Sequence, residues 1–203
     1  MTFEARTFPP EQVILRLLQA VEAHGYGPVN RTHLVKLVYL TDYIYAQHTG
    51  STLTGFRYSW DNYGPNALGN RIVKSADVLD SAGLISIHET YTPYGSSKFL
   101  YRIVEGVGVP PIDGLEERVI EEVARTYGAM DWKAVVEASK QTEPVLAASQ
   151  GDILKFEGLR ESTQAIFREI ERRKREGRYR RGGKRLSLGG VKLRYNLAAS
   201  SAT

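Results

Sequence analysis

The chain contains no cysteine. That removes disulfides, thiolate nucleophiles, zinc ribbons and redox motifs together, and it fits a reducing compartment. No apolar run approaches the roughly 20 residues that a membrane span requires. The opening "MTFEARTFPPEQ" has an acid among its first residues and no apolar core, so it does not read as a signal peptide. The cytoplasm is the expected location, away from any membrane. Histidine is scarce: His24, His33, His48 and His88 are scattered, with no His-x-x-x-His pair and no His-Glu-x-x-His. Each is expected to be solvated or structural, with no metal and no cofactor.

Catalytic patterns are missing too. "GVGVPP" begins like a dinucleotide fingerprint, but Pro111 stands at its third glycine position. "RGGKRLSLGG" contains Gly-Lys, yet Arg185 replaces the Ser or Thr that would hold magnesium. No Gly-x-Ser-x-Gly elbow and no Ser-x-x-Lys set occurs. A hydrolase reading would rest only on Asp42, His48 and Asp61 lying near one another along the chain, with no triad or metal spacing. The acids Glu116, Glu117, Glu121 and Glu122 read as the solvated face of an amphipathic helix. No catalytic residue is expected.

What is present is enough for one sizeable domain with an appendage: 203 residues, 42% of them hydrophobic. Charge is divided unevenly. Residues 172–194 hold eleven Lys/Arg and one acid, for +10, whereas residues 1–171 hold 16 bases and 22 acids, for −6. The reading is therefore a body over 1–177 and a basic extension over 178–203.

Helical spacing predicts a first helix in "PPEQVILRLLQAVEAHG", with Val13, Ile14, Leu17, Leu18 and Val21 on one stripe. A second, central helix runs between Asn30 as N-cap and Gly50 as terminator. "TGFRYSW" suggests a short strand, and a third helix is expected to open near Pro65 and close at Gly83. "LISIHETY" and "KFLYRIV" form a hairpin; further helices follow at "LEERVIEEVARTYG", "DWKAVVEASKQ" and "TEPVLAAS". A long last helix from about Glu157 to Gly177 turns Leu159, Thr163, Ile166, Phe167 and Ile170 inward. The fold class is mainly α with a small β-hairpin, a winged-helix-like helix plus hairpin, a long C-terminal helix and a basic tail. "VKLRYNL" alternates strictly, as a strand does.

The stretch "SWDNYGPNALGNRI" is crowded with turn-formers. Asp61 and Asn62 can bond nearby amides, Gly64 frees the backbone before Pro65, and Trp60 and Tyr63 are expected to pack across the second helix. It reads as a turn that sets the scaffold.

Two stretches carry a family resemblance. In "LVKLVYLTDYIYAQHTGSTLTGFRY", Lys36, Leu37, Tyr39, Asp42, Gly50, Leu53, Thr54 and Gly55 form a helix followed by Gly-x-x-Leu-Thr-Gly. In "YGPNALGNRI", Tyr63, Gly64 and Pro65 follow in order, and Thr142-Glu-Pro144 comes later. Over about residues 10–150 the chain resembles the Panacea domain, the SocA-like antitoxin family. The resemblance implies an antitoxin that binds and neutralises a partner toxin, encoded beside it, with no reaction of its own. The partner-binding candidates are Tyr39, Asp42, Trp60 and Tyr63 on the body. On the tail they are Arg178, Arg180, Arg181, Lys184, Arg185, Val191, Leu193 and Tyr195.

The alternative is a DNA-binding regulator that acts on its own operon through Arg71, Lys74 and Lys98 with the basic run Arg172, Arg173, Lys174 and Arg175. That run admits three readings: a solvated helix end, a protein contact or a phosphate-binding arm. The number of copies in an assembly is left open.

Overall fold

Pro9 and Pro10 stand at the mouth of helix α1 (Pro10–Ala23), where proline's missing N–H costs nothing. Val13, Ile14, Leu17, Leu18 and Val21 are all buried, as their spacing requires. The computed structural model describes residues 4–92 and 94–175, with the backbone of 187–188 and 191–192. Helix α2 (Arg31–Thr49) begins where the Asn30 side chain accepts the His33 N–H at 2.9 Å. It ends at Gly50, whose φ of 86° is a left-handed value suited to glycine. Fourteen of its nineteen residues are buried, so α2 is the axle of the domain.

Strand β1 (Val29–Asn30) leads into α2. Strands β2 (Tyr58–Asp61) and β3 (Gly64–Ala67) follow, then helix α3 (Arg71–Ser81) and strands β4 (Ile85–Tyr91) and β5 (Ser97–Ile103). The larger sheet is antiparallel, in the order β1-β5-β4, with Tyr101 facing Val29 on one side and Ile87 on the other. Helix α3 feeding this hairpin is the helix-plus-wing outline. Helices α4 (Gly114–Tyr127), α5 (Trp132–Lys140), α6 (Glu143–Leu146) and α7 (Leu159–Arg175) complete a mainly helical α+β fold. Helices α1, α3, α4, α5 and α7 all pack against α2.

Four tyrosines, Tyr39, Tyr45, Tyr58 and Tyr101, are wholly enclosed, and each hydroxyl finds a polar partner. No buried side-chain nitrogen or oxygen is left without one among the described residues.

The structure corrects three expectations. Residues 64–67 form no helix: they pair with β2, Trp60 opposite Pro65 and Asp61 opposite Gly64. Asn62 and Tyr63 keep negative φ while Gly64 sits at +86°, the pattern of a type I turn closed by a glycine bulge. Gly69 and Asn70 are also left-handed, so the helix waits until Arg71.

Second, of the α4 acids Glu122 is exposed as expected, but the other three are not a free solvated face. Glu116 is buried and accepts a hydrogen bond from the Tyr45 hydroxyl at 3.1 Å. The Arg16 guanidinium of α1 bridges Glu117 and Glu121, reaching the latter at 2.8 Å. A cation on the neighbouring helix turned a polar stripe into an interface. Third, Phe167 is 42% exposed, while Leu159, Thr163, Ile166 and Ile170 do face inward.

The 177/178 boundary lies outside the described residues, as do Arg178, Arg180, Arg181, Lys184, Arg185, Leu193 and Tyr195. The backbone of Val191–Lys192 pairs antiparallel with Ser187–Leu188.

Candidate partner-binding site

Helix α2 sends three polar side chains from successive turns of one side: Lys36, Tyr39 and Asp42. Each reaches a different later segment. Lys36 Nζ donates to the Pro65 carbonyl at 2.6 Å. Tyr39 meets Thr142 Oγ1 at 2.6 Å. Because the Thr142 hydroxyl already donates to the Ser139 carbonyl at 2.8 Å, the Tyr39 hydroxyl is the donor. Asp42 accepts from the Thr54 N–H at 2.8 Å, from the Thr54 hydroxyl, and from the Tyr58 hydroxyl at 2.6 Å.

Burial pushes Asp42 up to about 6, against the pull of its donors. Burial likewise pushes Lys36 down to about 8, with the charge of Asp61 opposing it. Such shifts mark reactive groups only where a cleft brings substrate to them. Surface depressions of about 410 and 560 Å³ are lined by Phe56, Arg57 and residues 153–157, and by segments 25–28 and 102–107 with Gln19 and Glu22. Neither includes Lys36 or Asp42. The polar spine ties the chain together.

What it holds is the β2–β3 hairpin. On the other flank, segment 149–154 runs beside β2: Trp60 N–H reaches Asp152 O at 2.9 Å, Gly151 N–H reaches Trp60 O at 2.8 Å, and Leu154 N–H reaches Tyr58 O at 2.8 Å. Gln150 donates to the Asn62 side chain at 2.5 Å. Gly64 lies so near α5 that an added Cβ would meet Lys140 Cγ at 3.2 Å and Ser139 Oγ at 3.3 Å. From this clamp the tip emerges: Asp61 and Asn62 are exposed, and Tyr63 is 63% exposed.

The polar spine joins the sequence landmarks themselves, and a model of the antitoxin SocA-like, Panacea domain family matches residues 34–144. The chain belongs to this family. No curated protein and no solved structure matches it.

Within the Panacea fold the candidate residues separate. Tyr39 and Asp42 are at 0% exposure and point into the spine, out of reach of a partner. Trp60 is partly buried against the core, whereas Tyr63, expected to pack across α2, is largely exposed. The family signature is internal: Lys36, Thr54, Gly64 and Pro65 are all buried, and Gly50 and Gly55 turn the chain at φ 86° and 68°.

The nucleic-acid candidates lie on three elements. The Arg71 guanidinium stacks over Phe56 at 5.2 Å, and Lys74 and Lys98 are exposed. Arg172 and Arg173 both bind Glu169, and Lys174 binds Glu171. Those contacts lower both acids from the usual carboxylate value, Glu169 down to about 2.

Sequence reasoning missed Tyr58 and segment 149–154. Tyr58 carried a signal, an aromatic at the start of a short strand just after Thr54. The pairing of residues 151–154 with β2 had none, since backbone bonds leave little mark on side-chain pattern.

Proposed function

We propose that this Panacea-domain chain is an antitoxin that neutralises a partner toxin by direct contact, through a face centred on the tip of the β2–β3 hairpin. One observation carries the reading: the signature side chains Lys36 and Asp42 are spent on anchoring a hairpin whose tip holds an exposed tyrosine. Tyrosine on a rigid support is the kind of residue that dominates protein interfaces, because it loses little rotamer freedom on contact. Asp61 and Asn62 precede it as exposed polar neighbours.

The test is co-expression with the protein encoded next door, scored as rescue of growth and as affinity of the purified pair. Tyr63→Ala should leave the melting temperature within about 2 °C of the parent and weaken binding at least about tenfold. Full affinity in Tyr63→Ala would remove the hairpin from the interface. Truncation after Gly177 asks separately whether the basic extension contributes, and unchanged affinity would exclude it. The DNA reading draws support from the helix-plus-hairpin outline. Its weight is reduced by Asp77 and Asp80 on α3, Glu89 on β4 and the acid pairing of the α7 cations.

A further inference from the structure

Strand β4 is the outer strand of the order β1-β5-β4, so among the described residues one of its edges has no strand beside it. Register decides which residues own that edge. Val104 N–H reaches Leu84 O and Thr92 N–H reaches Ser96 O, so the even-numbered residues of β4 bond to β5. Ile87, Glu89 and Tyr91 therefore aim their N–H and C=O groups outward.

Near the body both edges of the hairpin are closed by carboxylates. Asp80 accepts the Ile87 N–H at 2.9 Å, and Glu22 accepts the Ile103 N–H at 3.0 Å. A carboxylate on an edge N–H blocks strand addition there. Farther out, no other element bonds the N–H of Glu89 or Tyr91 among the described residues. Two residues on, Pro93 has no N–H to give. The opening is a window two residues wide, offering four backbone hydrogen bonds, with Tyr91 67% and Tyr94 94% exposed.

We propose that this window receives an extended segment of a partner protein as a fourth strand, with a lysine or arginine opposite Glu89 and an apolar residue two places on, opposite Tyr91. Tyr91 shares the face of Glu89, whereas the place beside Ile87 is closed by Asp80. The charge of Glu89 also selects against a second copy of this chain. Two-fold pairing centred on Glu89 would put its carboxylate opposite itself, and pairing centred on Thr90 would put the two on one diagonal.

The probe is a blocked pentapeptide, Val-Thr-Lys-Thr-Val, added to the ¹⁵N-labelled full chain. The amides of Glu89 and Tyr91 should shift and gain exchange protection, while the carboxylate-capped amides of Ile87 and Ile103 should not. Tyr91→Pro removes an outward N–H without touching the β5 ladder, and should weaken the peptide about fivefold. Glu89→Lys should reverse the preference toward Val-Thr-Glu-Thr-Val, by about fivefold, and tests the idea even if Tyr91→Pro fails to fold. Three results overturn it: no shift at millimolar peptide, equal shifts in Tyr91→Pro or Glu89→Lys, or a concentration-dependent dimer that Tyr91→Pro abolishes. Toxin neutralisation is a separate readout, so either reading can fail alone.

Discussion

The buried carboxylate of Asp42 makes stability depend on pH in a direction opposite to that of a salt-bridged acid. Its folded value of about 6 lies above the ordinary 3.8, with burial as the main cause. Folding therefore favours the protonated form. The associated stabilisation is complete below the unfolded value and is lost as pH rises through the folded one. At about 1.4 kcal/mol per unit, the loss between pH 4 and 7.5 is about 2–3 kcal/mol. Other groups titrate in the same range, so the measurement is a comparison with Asp42→Asn, which is neutral throughout.

Urea unfolding followed by the fluorescence of Trp60 and Trp132 gives the stability of both proteins at each pH. The wild-type advantage over Asp42→Asn should shrink by about 2–3 kcal/mol from pH 4 to 7.5, with equal denaturant slopes. A difference that stays flat, or grows with pH, would refute the assignment of a desolvated acid. Asp42→Ala should be worse at every pH, by about 3–5 kcal/mol, because Thr54 and Tyr58 then lose their acceptor inside the core.

Other perturbations address the remaining anchors. Arg16→Ala should cost about 1–3 kcal/mol in urea unfolding by freeing Glu117 and Glu121, and Arg16→Lys should recover less than half, since an ammonium lacks the fork that spans two carboxylates. Gly64→Ala meets both a left-handed φ of 86° and the side chains of Ser139 and Lys140. It should lower stability by about 1–3 kcal/mol and the melting temperature by about 3–10 °C. Tyr39→Phe should cost about 1 kcal/mol. Added to Thr142→Val it should cost little more than Thr142→Val alone, because both break one bond.

The helices were legible where apolar spacing and end signals agree: α1 between its prolines and Ala23, α2 between Asn30 and Gly50, α5 behind Asp131, whose side chain accepts the Ala134 N–H at 2.9 Å. The β4–β5 hairpin was legible from alternation and a glycine-bearing turn. The stretch after Trp60 misled because Gly64-Pro65 suits a helix start as well as a bulged hairpin. Only the partner strand and the left-handed Gly69 and Asn70 decide between them. The α4 acids misled for a related reason: periodicity shows that they share a face, and cannot show that Arg16 lies across from them. The family signature named Lys36, Tyr39 and Asp42 but not their use. A pattern of polar residues on an apolar helix reads equally as surface contact or buried anchor, and burial alone separates the two.

The three anchors bear on how the proposed interface would be held rigid. Lys36, Tyr39 and Asp42 lie within seven residues of one buried helix, yet they fix the backbone at Thr54 and Pro65 and the side chain of Thr142. Those segments cannot shift independently without leaving a polar group unpaired in the core, at about 1–3 kcal/mol each. The hairpin tip is thus tied to the body at several points, and an interface centred on Tyr63 would spend little of its binding energy on ordering. Segment 149–154, beyond the family match at 34–144, adds backbone bonds to the same hairpin. On the proposed reading, affinity resides in a rigid, family-built tip, while choice of partner falls to surfaces around it: the acidic window on β4 and the cationic end of α7.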